Sequence, residues 1–240
     1  MLPGMMTRLN LYGQPVGPDL PDWTPRPRPI RSVLEGRYCR LEPLDPERHA
    51  AELHAANSDA AAWTYLAYGP FSSLESYAGW ARQVHAGEDP HFCAIRRLDD
   101  GLCAGIAAYL RIDPAVGSIE VGHLNFSPRL QKTPAATEAL YLMMANAFDT
   151  LGYRRYEWKC DSLNEPSRAA ALRLGFTFEG IFRQATIYKG RSRDTAWFSI
   201  VDSEWPALKR AYLAWLAPEN FDEAGRQRRR LGDLVEEALG

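Results

Sequence analysis

Phe126-Ser-Pro-Arg-Leu-Gln-Lys-Thr-Pro-Ala-Ala-Thr-Glu138 joins an extended run, 118–126, to a strongly helical run, 135–150. A strand that enters a helix through a short polar loop aims several backbone N–H groups and the helix N-terminus at one point. Thr133 is suited to the N-cap and Pro134 to the first helical position, where the missing proline N–H would have had no helical partner. The stretch is therefore either an ordinary capped turn or a phosphate-binding loop.

The segments around this stretch predict a central sheet. Extended runs at 91–97 and 102–112 flank the hairpin signal Leu98-Asp-Asp-Gly101, so these runs and 118–126 form three successive antiparallel strands. A helix separates 118–126 from the next extended run, 155–161. The strands on either side of that helix should therefore be parallel, as in a βαβ unit.

The remaining elements complete one domain with two appendages. A Pro-rich arm is expected at 1–31, the domain at 32–205 and a helical extension at 206–240. Within the domain the other predicted elements are a strand at 37–44, helices starting after Asp45 and near Ser73, a helix ending at Leu174, and a hairpin of 178–188 with 195–201.

Composition and charge exclude several functional classes. Lys plus Arg is 28 and Asp plus Glu is 30, so the formal charge is −2 and no basic field favours nucleic acid. The chain has no apolar run long enough to span a membrane and no signal peptide pattern at its start, which predicts a cytoplasmic protein. The four cysteines lack zinc-ligand spacing, so we expect buried reduced thiols and no metal.

Three motifs stand at a characteristic spacing in the chain. They are Ile119-Glu-Val-Gly122, then Gln131-Lys-Thr-Pro-Ala-Ala136 with Thr137-Glu-Ala139, then Asp161-Ser-Leu-Asn164-Glu-Pro-Ser167-Arg-Ala-Ala followed by Gly175-Phe176. Together with the order of elements, they resemble the GNAT superfamily of acyl-CoA N-acyltransferases, nearest its RimJ/RimL-like branch. The resemblance covers about 37–205. The second motif resembles the family's Gln/Arg-x-x-Gly-x-Gly/Ala loop, with Pro134 at the position of the first glycine. That proline removes one potential amide donor.

The resemblance implies an α+β fold. Its mixed, mostly antiparallel sheet of about seven strands would have a parallel pair at a splayed centre and helices on both faces. It also implies acetyl-CoA as co-substrate, with direct transfer of the acetyl group to a primary amine through a tetrahedral intermediate. The pyrophosphate would lie on Gln131, Lys132, Thr133, Ala135 and Ala136, with charge added by Arg129. The pantetheine arm would pair with the backbone at Asn125 and Phe126 and be oriented by Asn164.

Catalytic candidates follow from the same resemblance. Glu120 is the first candidate for general base, since burial would raise its pKa; the alternative is a structural carboxylate bonded to a neighbouring strand. His123 is the second candidate, or a packed strand histidine. Ala171 stands where many members place a general-acid Tyr, which leaves Ser167 as a weaker donor or as a helix residue bonded to backbone.

The acceptor pocket is expected to involve the aromatic loop residues Trp63, Tyr65, Tyr68 and Phe71, whose alternative role is core and lid packing. The acceptor would be a protein N-terminus or a small amine, amino acid or antibiotic. A long open groove would favour a peptide, and a pocket closed by the aromatic loop a small molecule. A CoA-binding sensor without activity is the non-enzymatic alternative. No nucleic acid or membrane partner is expected, and a homodimer is possible.

Overall fold

A computed structural model describes residues 8–240 and is organised around one eight-stranded sheet. After a short N-terminal hairpin of β1 Arg8–Leu9 and β2 Pro15–Val16, the strands of this sheet are β3 Leu34–Glu35, β4 Cys39–Pro43, β5 His91–Arg97, β6 Cys103–Asp113, β7 Ser118–Phe126, β8 Arg155–Asp161, β9 Thr177–Tyr188 and β10 Arg191–Val201. Their order across the sheet is β3-β4-β5-β6-β7-β8-β10-β9, and all neighbouring strands are antiparallel except β7 and β8, which are parallel. The predicted α+β class is confirmed; the two-residue β3 is the strand beyond the expected seven.

Helices connect these strands where the sequence places caps. The α-helices are α1 Pro46–Ala56, α2 Leu74–His85, α3 Pro134–Ala145, α4 Glu165–Arg173, α5 Trp205–Leu216 and α6 Leu231–Leu239. A π-turn, Asn146–Thr150, extends α3. None of the helices in the part of the chain that the structure describes is long and apolar enough to cross a membrane.

The entry into α3 has the predicted cap. Thr133 Oγ1 accepts a hydrogen bond from the Ala136 N–H at 3.3 Å and donates one to the Leu130 carbonyl at 2.6 Å. Pro134 occupies the first helical position. The capped turn is thus confirmed, and it sets the end of β7 next to the helix N-terminus.

The sheet divides the core into two layers. In β5, Phe92 and Ala94 pack under α1 and α2, whereas Cys93 and Ile95 belong to the larger cluster that contains the buried residues of α3, α4, α5 and α6. Because side chains alternate along a strand, α1 and α2 cover one face and the other four helices cover the opposite face.

Half of the α1/α2 face carries no helix. The apolar residues of β7 and β8, such as Val121 and Trp158, belong to the cluster on the opposite face. Alternation therefore places Glu120, Glu157 and Lys159 on the α1/α2 face. Among the described residues, the apolar cluster beneath α1 and α2 includes none from β7, β8, β9 or β10. The uncovered half thus carries a cluster of charged side chains, largely buried against one another, next to the helical layer.

The arm and the C-terminal segment both pack on the domain. Residues 1–7 of the predicted arm lie outside the described residues; the rest forms a small hairpin of β1 Arg8–Leu9 and β2 Pro15–Val16 and then runs along the body. Trp23 Nε1 donates to the Ala115 carbonyl at 2.7 Å. The predicted domain division at 205/206 stays a prediction, although α5 and α6 pack in the main core.

Candidate active site

The parallel strands β7 and β8 diverge halfway along their length. Their pairing runs from Ser118↔Arg155 to Val121↔Trp158 and ends there. Further on, β7 stays with β6, where Asn125 lies opposite Ile106. The backbone edges that face each other across this opening have no partner in the ladder, so an extended polar group can pair with them.

A bulge in β7 coincides with the divergence. Gly122 pairs with Ala108 and Asn125 with Ile106, so two residues of β7 stand opposite one of β6. His123 takes up the extra residue with a φ of +53°. A bulge bends its strand and increases the local twist, which explains why β7 leaves β8 at this point.

Buried polar atoms without partners lie at the end of β7. Asn125 and Ser127 are 2% and 0% exposed. Neither Asn125 Oδ1 nor Ser127 Oγ has a hydrogen-bond partner among the described residues. Since buried polar atoms in proteins are almost always paired, these two are suited to a bound group or an ordered water.

The loop between β7 and α3 is tightly ordered by its own bonds. The N–H groups of Leu130 and Gln131 both donate to the Ser127 carbonyl at 2.9 Å. Gln131 Nε2 donates to the Phe126 carbonyl at 2.7 Å, so this side chain ties the loop to the strand. Lys132 has a φ of +60°. The loop is therefore held in one conformation before any ligand binds.

Several amides of this loop remain free. In residues 8–240 the N–H groups of Lys132, Thr133 and Ala135 find no acceptor, and Pro134 has no N–H. Ala136 donates to the Thr133 side chain. Three free donors beside a helix N-terminus form a site suited to phosphate oxygens.

On the other side of the opening, the predicted residues of α4 are bonded within the protein. Asn164 is the N-cap of α4, and its Oδ1 accepts from the Ser167 N–H at 3.2 Å. Ser167 Oγ accepts from Trp158 Nε1 at 3.0 Å. Ala171 is fully buried in the core under α4. Asn164 thus keeps its amide nitrogen and a second lone pair on Oδ1 for a ligand, and Ser167 keeps its hydroxyl proton.

Glu120 is buried between two cations. Arg111 Nη1 lies 2.7 Å from each carboxylate oxygen, and Lys159 Nζ lies 3.0 Å from Oε2. Burial raises the pKa of Glu120, while the charges of Lys159 and Arg111 oppose that rise. The pKa direction agrees with the expectation, and the carboxylate is bonded to the two neighbouring strands, as the structural alternative describes. Its role as general base stays a prediction.

His123 is held between aromatic rings. Its ring stacks on Tyr68 with centroids 5.5 Å apart and lies 4.9 Å from Phe92. Burial, assisted by the positive charge of Arg111, lowers the pKa of His123 to about 4. The imidazole is consequently neutral at neutral pH and a weak base.

The four aromatic candidates divide into two pairs. Trp63 is 2% exposed, donates from Nε1 to the Asn57 carbonyl and packs edge-on against Phe71. Tyr68 lies nearer the opening because it stacks on His123, and its buried hydroxyl has no partner among the described residues. Tyr65 is partly exposed and donates to the Leu163 carbonyl at 3.2 Å. Core packing therefore accounts for Trp63 and Phe71.

The aromatic loop is tied to the β9–β10 hairpin. Lys189 Nζ donates to the Trp63 carbonyl and Arg191 Nη2 to the Thr64 carbonyl, each at 2.7 Å. Together with the Tyr65–Leu163 bond, these contacts hold the aromatic loop against the segments that follow β8 and β9. Sequence reasoning did not single out Lys189 or Arg191, because contacts to distant backbone carbonyls leave no sequence pattern.

Lys159 was also missed, although the sequence carries a signal for it. In β8, Arg155, Glu157, Lys159 and Asp161 alternate with Tyr156, Trp158 and Cys160. Such alternation predicts one apolar face and one charged face. No group of three or more potential metal ligands occurs within the described residues.

Comparisons with known proteins agree with this geometry. The family model described as "Acetyltransferase (GNAT) domain" matches residues 39–177. "Putative ribosomal N-acetyltransferase YdaF" of Bacillus subtilis (strain 168) is 27% identical over 174 residues, which cover 70% of this chain and 92% of that protein.

Two crystal structures are similar over most of the chain. A GCN5-related N-acetyltransferase from Brucella melitensis is 51% identical with a TM-score of 0.89, over 90% of this chain and all of that one. A probable GNAT-family acetyltransferase from Chromobacterium violaceum is 41% identical with a TM-score of 0.76, over 80% of this chain and 98% of that one. The chain therefore belongs to the GNAT family of N-acetyltransferases.

Proposed function

We propose that this enzyme transfers the acetyl group of acetyl-CoA directly to a primary amine, through a tetrahedral intermediate. The observation that carries the proposal is the divergence of β7 and β8 beside the capped N-terminus of α3. It sets free strand edges and free loop amides next to each other, as a ligand with a diphosphate and an amide-rich arm requires.

The residues at the opening suit acetyl-CoA. The N–H groups of Lys132, Thr133 and Ala135 would hold the pyrophosphate, and the Lys132 side chain would add positive charge. Arg129, the other cation expected here, is paired with Asp100 at 2.7 Å, which offsets its charge. The edge of β7 near Asn125 would pair with the pantetheine amides, and the unpartnered Asn125 Oδ1 fits a donor there. When bound, acetyl-CoA supplies an activated thioester.

The chain's own groups would then manage the acceptor's proton. Glu120 lies on the uncovered face of β7, ahead of the divergence, and burial raises its pKa toward neutral pH. It would accept a proton from the acceptor's ammonium group, and the freed lone pair would then add to the thioester carbon. The resulting tetrahedral intermediate would lose a second proton from its nitrogen as the carbon–sulfur bond breaks. Ser167, which keeps a hydroxyl proton, is the candidate donor to the departing sulfur. Holding amine and thioester together contributes on the order of 7–11 kcal/mol to lowering the barrier.

The acceptor is proposed to be a primary amine that enters from the charged, uncovered side of the sheet. The name of the Bacillus subtilis relative, a ribosomal N-acetyltransferase, favours a protein N-terminus. The hydrogen bonds from Lys189 and Arg191 hold the aromatic loop in place. They would limit the width of the entrance for the acceptor and so favour a slender one. An extended peptide N-terminus and a small amine both satisfy these constraints.

Calorimetric titration with acetyl-CoA and CoA, followed by thiol-release assays over peptides and small amines, tests the proposal. We expect acetyl-CoA binding and release of CoA with at least one class of amine. Tight binding without release for any acceptor would favour the CoA sensor. Absence of CoA binding would contradict the proposal outright.

A further inference from the structure

The two cations at Glu120 differ in how firmly they are held. The Lys159 side chain is 7% exposed and the Arg111 side chain 60% exposed, although both contact the same carboxylate. An exposed ion pair contributes little to stability, whereas a buried one is costly to break. One partner of Glu120 is therefore fixed, and the other is exchangeable.

Lys159 is the fixed partner because three groups hold its ammonium. Besides Glu120, Nζ contacts Glu157 Oε2 at 2.7 Å and lies 3.7 Å from the centre of the Trp197 ring. Glu157 is bonded in turn to Arg155 Nε at 2.6 Å. Withdrawing Lys159 would leave two buried carboxylates with fewer partners.

Arg111 is the exchangeable partner. It projects from an irregular part of β6, between the pairs Leu110↔Glu120 and Asp113↔Ser118, where its φ is +46°. Only Nη1 of its guanidinium bonds to the described residues, and both of its bonds go to Glu120. The backbone N–H of Arg111 is held separately by Asp89 at 3.0 Å. The side chain can therefore leave Glu120 without disturbing the strand.

We propose that the Glu120 carboxylate is the binding site for the acceptor's primary ammonium group, which Arg111 occupies in the free protein and yields, while Lys159 stays in place. This inference rests on the proposed N-acetyltransferase function and specifies how its acceptor is recognised. Exchange of one cation for another leaves the net charge around the buried carboxylate unchanged, so an ammonium enters more easily than a neutral group.

The exchange also prepares the proton transfer. Glu120 is faced by Arg111 from β6 and by Lys159 and Glu157 from β8, with His123 further along β7. Once Arg111 has left, one N–H bond of the ammonium breaks and one O–H bond forms on Glu120. The freed lone pair is then available for the thioester. Lys159 opposes the effect of burial on the pKa of Glu120 and so favours the ionised form that an ammonium would meet.

Nitrogen NMR of arginine guanidinium groups in the full-length protein tests the exchange without an assay of activity. Ethylammonium chloride is titrated into the millimolar range, with tetramethylammonium chloride as a matched cation that cannot donate hydrogen bonds. The signal assigned to Arg111 by its loss in Arg111→Lys should shift with ethylammonium and not with tetramethylammonium. Glu120→Gln should abolish the response. An Arg111 signal that ignores ethylammonium, or responds equally to both salts, overturns the inference.

Kinetics with an accepted amine provide the second readout. In Arg111→Gln no side chain competes for Glu120, so the acceptor KM should fall about fivefold while the KM for acetyl-CoA stays unchanged. An acceptor KM that rises instead would make Arg111 a positioning residue and overturn the exchange. Failure of the wild-type enzyme to release thiol with any amine would sink the proposed function, yet it would leave the NMR result to decide whether ammonium binds at Glu120.

Discussion

At the residue scale, the candidate site depends on the pKa of a single carboxyl group, that of Glu120. Glu120 is 3% exposed, and burial raises its pKa, but Lys159 and Arg111 keep the ionised form accessible. An unpaired buried carboxyl would stay protonated at neutral pH, and a fully exposed one would be a weak base. The partners thus place Glu120 between these limits.

Glu120→Gln should lower kcat by about 100-fold or more, because general-base catalysis typically contributes that much. The affinity for acetyl-CoA should stay within twofold of wild type, since the loop amides that would hold the pyrophosphate are unaffected. Thiol release at saturating acceptor and calorimetric titration measure the two quantities. Glu179→Gln, on the same face but at the sheet edge, is the control. Unchanged turnover across pH would remove Glu120 as the base.

Lys159→Met should move the acidic limb of the kcat profile to higher pH. The active form has Glu120 ionised, so activity falls as the pH drops through its pKa. Lys159 lowers that pKa against the effect of burial, and its removal therefore raises the pKa further. The profile of kcat from acidic to neutral pH measures the shift. Suppose that Glu120→Gln abolishes the acidic limb but Lys159→Met leaves the limb at the same pH. Lys159 would then not control the pKa of the base.

The sequence predicted Glu120 and the direction of its pKa but not the cations beside it. Lys159 lies two residues beyond the residue that pairs with Glu120, Glu157, and thus on the same face. That relation follows only from the register of the parallel strands, which no local pattern specifies. Arg111 reaches Glu120 from a segment where the register shifts.

At the element scale, two carboxylates join segments that are far apart in sequence. Glu138 on α3 accepts from the backbone N–H groups of Arg37, Tyr38 and Cys39 at 2.8, 2.6 and 2.9 Å. Glu42 on β4 joins Arg96 of β5 to His49 of α1. The first bond set fixes the helix that follows the candidate phosphate loop to the start of β4.

Glu138→Ala should destabilise the protein by about 3 kcal/mol or more, because it removes three hydrogen bonds to a charged group, each worth roughly 1.5–3 kcal/mol, and leaves the buried N–H of Cys39 unpaired. Chemical unfolding at neutral pH measures the loss. Glu236→Ala on the exposed side of α6 should change the free energy of unfolding by less than about 0.5 kcal/mol. Equal effects of the two substitutions would show that the three bonds contribute nothing specific.

Protonation of the Glu42 carboxylate should make the folded protein less stable in acid. Burial alone would raise its pKa, but hydrogen bonds from Arg96 and His49 lower the pKa from 4.5 to about 2. A carboxylate with a lowered pKa in the folded state stabilises above its unfolded pKa, and this contribution disappears as the pH falls from 4.5 to about 2. The expected loss is on the order of 3 kcal/mol.

Urea unfolding from neutral pH down to about pH 2 measures this loss. In Glu42→Gln the same pH interval should show a correspondingly smaller decline, since the titrating group is gone. An equal decline in both proteins would assign the acid sensitivity to other carboxylates.

The starts of the helices could be predicted from the sequence, whereas the long-range hydrogen bonds of Glu138 and Glu42 could not. Asp45, Ser73 and Thr133 each accept a bond from the first turn of the helix that follows, as their residue types favour. Caps are local, so a few residues suffice to specify them. Glu138 reads locally as a polar residue in the first turns of a helix, and its partners lie about a hundred residues away.

At the scale of the whole molecule, one chain of alternating charges crosses the uncovered half of the sheet. Adjacent members are linked by contacts of 2.6 to 3.0 Å. Its members are, in order, Arg111, Glu120, Lys159, Glu157, Arg155 and Glu179. Because each of the four inner members is held by two neighbours, this face keeps a defined geometry without a helix above it.

The sheet order followed from the sequence more completely than the packing of the C-terminal segment. Three hairpin-connected strands and one βαβ unit leave few topologies open. The amphipathic pattern of 205–216 and 231–239 predicts helices but not where they dock. In the structure Trp205, Tyr212 and Val235 lie in the same core as α3 and α4.

The hydrogen bonds between the aromatic loop and the β9–β10 hairpin should limit the width of the acceptor that can bind. Lys189 and Arg191 donate from charged groups to the Trp63 and Thr64 carbonyls, and each such bond contributes roughly 1.5–3 kcal/mol. Lys189→Ala with Arg191→Ala should therefore free the loop and raise kcat/KM for bulky amines relative to slender ones, about tenfold in the ratio. Competition assays between a benzylamine-sized and an ethylamine-sized acceptor measure that ratio.

Arg183→Ala, an exposed position on β9, should leave the ratio unchanged. A ratio unaffected by the double substitution would mean that acceptor width is set elsewhere, by Tyr68 and His123 at the bulge.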